Sequence, residues 1–60
     1  MMKFYNVELN NPETITKFRY FLKSNNIYFE TSAAGSYTHF EVKLNAETLD
    51  ICNNWLDNNA

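Results

Sequence analysis

Two stretches of this chain follow one plan, an alternating run, then an asparagine, then an acid–threonine pair that opens an apolar helical pattern. Residues 4–15 read FYNVELNNPETI and residues 39–49 read HFEVKLNAETL. Apolar and polar residues alternating at period two mark a half-buried strand. Asparagine followed by glutamate marks a helix start, because its side-chain oxygen accepts a free backbone N–H and the acid complements the positive helix end. Two such units in 60 residues leave room for little else. The chain is therefore expected to form one α+β domain over residues 1–60.

The first alternation, Lys3 to Leu9, sets Tyr5, Val7 and Leu9 on one side and Phe4, Asn6 and Glu8 on the other. Asn11 then caps a helix with Pro12 in its first position, and Ile15, Phe18 and Leu22 recur at helical spacing to give its core stripe, with Phe21 at the margin. Asn25-Asn26 supplies a left-handed stop. A second strand is predicted from Ile27 to Ser32, with Ile27, Phe29 and Thr31 inward, and Ala33-Ala34-Gly35-Ser36 is the hairpin connection. The third strand, Tyr37 to Leu44, turns Phe40, Val42 and Leu44 inward and Tyr37, His39, Glu41 and Lys43 outward. Asn45 caps the second helix, built on Leu49, Cys52, Trp55 and Leu56.

The order is βαββα. Laying one unit on the other matches Val7 with Val42, Leu9 with Leu44, Glu13 with Glu47, Thr14 with Thr48 and Leu22 with Leu56. Internal duplication and the shared chemistry of any two capped strand–helix units account for these matches equally well. The pattern resembles the ferredoxin-like fold, whose two βαβ halves give a four-stranded antiparallel sheet, order 4-1-3-2, with both helices on one face. The resemblance is topological and implies no activity. Copy one continues from LKSNN into IYFET, whereas copy two continues from LDNN to Ala60. The expectation is thus a three-stranded sheet lacking the fourth strand, with the first strand as an exposed edge.

So small a domain buries a modest fraction of its surface and needs dense packing or association. Cys52 is the only cysteine, which excludes a disulfide, and no Cys/His cluster stands ready for a structural metal, so no cofactor is expected. Five Phe, four Tyr and one Trp supply the apolar area instead. A lone thiol suits a reducing compartment, and neither a secretory leader nor a membrane-length apolar run is present, so a cytoplasmic protein off the membrane is expected. Ten asparagines and no glutamine skew the composition. Helix ends explain many of them, and an AT-rich coding genome of the kind found in bacterial viruses would explain the rest. The net charge of −2 argues against a general affinity for phosphate.

Three surface features are candidates for function. The first is the first-strand edge, protected only by Lys3 and Glu8 as charges and without proline, which invites a strand from a second copy or from another protein. The second is the sheet face away from the helices, where Phe4, Tyr28, Tyr37 and His39 are expected among Asn6, Glu8, Glu30, Glu41 and Lys43. The third is the Ile51/Trp55 flank of the second helix, which either packs against the first helix or lines a groove beside the first strand. No serine or cysteine is expected beside His39 to make a nucleophile pair, and the three glutamates fit a solvated rim better than a cation site.

The sequence therefore predicts a binding module and no enzyme. Its site comprises Phe4, Asn6, Glu8, Tyr28, Tyr37, His39, Ile51 and Trp55, engaging a partner protein that it modulates or inhibits, with a phage- or mobile-element origin and a homodimer through the first strand both compatible. The alternative is a single-stranded RNA or DNA module stacking bases on Phe4 and Tyr37 or His39. Against it, the glycine- and arginine-bearing RNA-recognition pattern is missing and three glutamates share the face.

Overall fold

The computed structural model describes residues 2–59; Met1 and Ala60, included in the expected domain, lie outside the described residues. The elements follow the predicted order: β1 (Lys3–Leu9), α1 (Pro12–Ser24), β2 (Phe29–Ala34), β3 (Tyr37–Leu44) and α2 (Ala46–Asn59). The sheet runs β1-β3-β2 with both pairings antiparallel, which is the 1-3-2 portion of the expected strand order.

Helix ends are fixed by the asparagines. The Asn11 side-chain oxygen accepts the N–H groups of Glu13 at 2.9 Å and Thr14 at 3.2 Å, with Pro12 following it. At α2 the cap is reciprocal: the Asn45 side-chain oxygen accepts the Thr48 N–H, and the Thr48 hydroxyl oxygen accepts the Asn45 N–H, both at 2.8 Å. This is capping-box logic with threonine in the place usually held by glutamate or glutamine. The α1 stop is a Schellman turn. Asn26 adopts φ +56°, its N–H reaches the Lys23 carbonyl, and the Ile27 N–H reaches the Leu22 carbonyl at 2.9 Å. Ile27 and Leu22, both buried, make the apolar contact that closes such a turn.

That turn shifts β2 from its expected position. Ile27 belongs to the helix stop, so β2 begins at Phe29, and it continues through Ala34 to a connection of only two residues, Gly35-Ser36. Gly35, at φ +64°, supplies the left-handed first position that a tight hairpin turn needs. The wider Ala33–Ser36 loop read from small residues is thus replaced by ladder pairs Ala33↔Thr38 and Ala34↔Tyr37.

The core sits over β3. Phe40, Val42 and Leu44 are buried beneath Phe18 and Leu22 of α1 and Cys52 of α2, so both helices cover the same sheet face. Phe18 meets Phe40 edge-on at 4.9 Å between ring centroids. Flanking strands are less covered: Tyr5, Val7 and Leu9 are half-buried, and Thr31 and Ala33 of β2 are exposed although the register turns them to the helix side. No helix of the described residues is long and apolar enough to cross a membrane.

Candidate functional site: the β1 edge and the open sheet face

The hydrogen-bond phase of the ladder identifies which β1 groups are free to receive another strand. The Lys43 N–H donates to the Tyr28 carbonyl at 3.0 Å, so Lys43 directs its backbone toward β2. Backbone direction alternates along a strand, so Val42, Phe40 and Thr38 face β1 and bond their partners Tyr5, Val7 and Leu9. The intervening residues Phe4, Asn6 and Glu8 direct N–H and C=O away from the sheet. These outward groups have no paired strand among the described residues. The same three side chains stand on the open face, because in a strand the side-chain and hydrogen-bond alternations share one period.

Read across the strands, the open face is a set of rows. Phe4, Lys43 and Tyr28 form the first. The rings of Phe4 and Tyr28 stand edge-on at 6.3 Å, and the Lys43 ammonium lies 5.9 Å from the Phe4 centroid. Asn6, Glu41 and Glu30 form the second, with the two glutamates directly opposed. Glu8, His39 and Ser32 form the third, with His39 Nδ1 3.7 Å from Glu8 Oε2, and Tyr37 lies beyond them opposite Ala34. The Tyr28 hydroxyl donates to Glu30 Oε2 at 2.7 Å. That hydrogen bond, then the Glu30 charge, slight burial and the Glu41 charge raise the tyrosine above its ordinary 10.0.

The four aromatic candidates thus do not form one patch. Phe4 and Tyr28 are half exposed at one end, Tyr37 is half exposed at the other, and the six steps along β3 from Lys43 to Tyr37, about 20 Å of strand, separate the rows. Carboxylates fill the interval. The sequence conceals this, because only the pairing register says which rings become neighbours.

Trp55 is also placed differently from the expected groove beside the first strand. It packs on α1, its indole stacked on Phe21 at 5.2 Å and tilted against Phe18 at 5.3 Å. Ile51, one turn earlier on the same side of α2, is 40% exposed. Helical spacing puts Leu49 and Leu56 on the other flank of Cys52, away from α1, and both pack against the core. An apolar groove of about 550 Å³ lies between the helices and is walled by Tyr20, Phe21 and Trp55 with Thr16, Lys17 and Asn25 at its margin. Tyr20, 75% exposed on this wall, is absent from the candidates read from the sequence, because helical spacing turns it away from the core stripe.

Among the described residues, no group of His, Cys, Asp and Glu converges as a metal site. Cys52 is buried between helix and sheet, and desolvation raises its thiol above the ordinary value. Comparison with protein-family models, curated proteins and solved structures found no match.

Proposed function

We propose that this protein acts by binding another polypeptide through strand addition at the outer edge of β1, modulating that partner without catalysing a reaction. The observation that carries this reading is the row of outward N–H and C=O groups at Phe4, Asn6 and Glu8, unpaired among the described residues. Half-buried Tyr5, Val7 and Leu9 lie along the same edge and offer apolar contact to the alternate side chains of an incoming strand. Backbone pairing would supply affinity and those side chains selectivity.

Single-stranded nucleic acid is the competing ligand, favoured by the Phe4–Tyr28 pair beside Lys43. Glu30, Glu41 and Glu8 on the same face oppose it.

The test compares capture from a bacterial lysate by the wild-type chain, Asn6→Pro and Glu8→Pro, each with and without nuclease. Proline at either position removes an outward N–H and spares the β3 ladder. Strand addition predicts a nuclease-resistant protein that the wild type retains in high salt and both proline variants lose while their circular dichroism is preserved. Equal capture by folded variants and wild type overturns the edge as the contact; a ligand lost to nuclease or to modest salt favours nucleic acid.

A further inference from the structure

Resting on the β1-edge reading, we propose that the strand filling this edge is β1 of a second copy, paired antiparallel about a two-fold axis at Asn6. The sequence of β1 is self-complementary in that register. Pairing residue numbers that sum to 12 overlaps the whole of Lys3–Leu9 and sets Asn6 opposite Asn6, Phe4 opposite Glu8, Tyr5 opposite Val7 and Lys3 opposite Leu9. The outward-directed residues Phe4, Asn6 and Glu8 then face one another, as the hydrogen-bond phase requires.

Charge and overlap together favour this register. No like charges are opposed, whereas a sum of 6 would oppose the two copies of Lys3 and a sum of 16 the two copies of Glu8. Sums of 10 and 14 escape that clash and keep the phase, but each shortens the overlap. In the sum-12 register Glu8 of one copy stands opposite a Phe4 ring that already has Tyr28 at 6.3 Å and the Lys43 ammonium at 5.9 Å from its centroid in the same chain. The two Asn6 amides meet on the open face, where each can donate to and accept from the other. On the helix side, Tyr5 and Val7 of one copy oppose Val7 and Tyr5 of the other, covering the half-buried apolar row of β1. The product is a continuous six-stranded sheet, β2-β3-β1-β1-β3-β2, with two-fold symmetry.

The experiment is light scattering of the intact chain across a concentration series, joined to cysteine cross-linking in a Cys52→Ala background. The mass should rise with concentration from 7.1 kDa to twice that value, and Asn6→Pro should abolish the rise without loss of secondary structure. Asn6→Cys should cross-link to itself on mild oxidation, because opposed hydrogen-bonded residues stand about 5.5 Å apart between Cα atoms, within disulfide reach. Phe4→Cys and Glu8→Cys should each fail alone and cross-link when mixed. A chain that stays monomeric at high concentration, or one whose preferred self-cross-link is at Tyr5→Cys or Val7→Cys, overturns the proposal.

A labelled peptide of residues 3–9, KFYNVEL, separates the two failures in a monomeric chain. Binding of the peptide, lost when its Asn6 amide is N-methylated, keeps the edge reading while removing the dimer. No binding removes the self-pairing, and the edge reading then stands or falls on the capture by the Asn6→Pro and Glu8→Pro variants.

Discussion

The Trp55 indole lies stacked on the Phe21 ring, 5.2 Å between centroids with the planes 25° apart, and this contact joins the two helices above the sheet. It also places Phe21, Phe18 and Phe40 in one aromatic column from helix layer to sheet. A 60-residue domain has a total stability of about 3–9 kcal/mol, so one half-buried aromatic is a large share of it. Trp55→Ala should cost about 3 kcal/mol in urea denaturation followed by circular dichroism. Trp55→Phe, which keeps a ring on Phe21, should lose less than half as much.

The reciprocal cap of α2 gives a second expectation. Asn45→Ala and Thr48→Val each remove one of the two 2.8 Å bonds, and each should destabilise the fold by about 1 kcal/mol. Because the two residues satisfy each other, the double variant should lose less than the sum of the singles. A double-mutant cycle from urea midpoints measures that coupling, and strict additivity would mean the bonds act independently.

The opposed pair Glu30 and Glu41 is a local repulsion within the sheet. Replacing Glu41 by Gln should raise stability by about 0.5 kcal/mol at neutral pH, with the gain shrinking as salt is added. In Glu30→Gln, Tyr28 loses its charged acceptor, and its titration should fall back toward 10.0. The carbon shift of labelled tyrosine, followed by NMR through alkaline pH, reads this directly.

Burial of Cys52 sets an alkaline limit. Folding raises the thiol's pKa above its ordinary 9.0, so the protonated form is favoured in the folded state. That contribution is fully present below the unfolded value and is lost as pH rises through the folded one. Stability should therefore decline on the alkaline side of pH 9.0, and Cys52→Ala should weaken that part of the decline. At neutral pH a thiol reagent should label Cys52 only as fast as the chain opens, so labelling should accelerate in parallel with urea-induced unfolding.

Much of this architecture follows from local chemistry alone. Asn11, Asn26 and Asn45 set helix ends through bonds to residues at most three positions away or through a single backbone angle, and such signals survive in a linear reading. The same is true of the alternation that turns Phe40, Val42 and Leu44 inward and of the spacing that pairs Phe18 with Leu22. Element order and core membership are legible for that reason, whereas the exposed edge of β1 is expected only from the topological resemblance and its outward groups are fixed by the ladder.

What the tertiary structure decided depends on which distant residues become neighbours. Only the β1-β3-β2 register divides Phe4 and Tyr28 from Tyr37 and inserts Glu30 and Glu41 between them. Trp55 had two possible partners at one helical spacing, α1 or the β1 side, and the approach of α1 settled it against Phe21. Even the start of β2 was set by the Schellman turn, which drew Ile27 back onto Leu22. Period and capping are properties of a few consecutive residues, whereas register and helix packing minimise exposed area over the whole chain. Linear patterning sets which groups each strand and helix presents, and packing alone sets which of them meet.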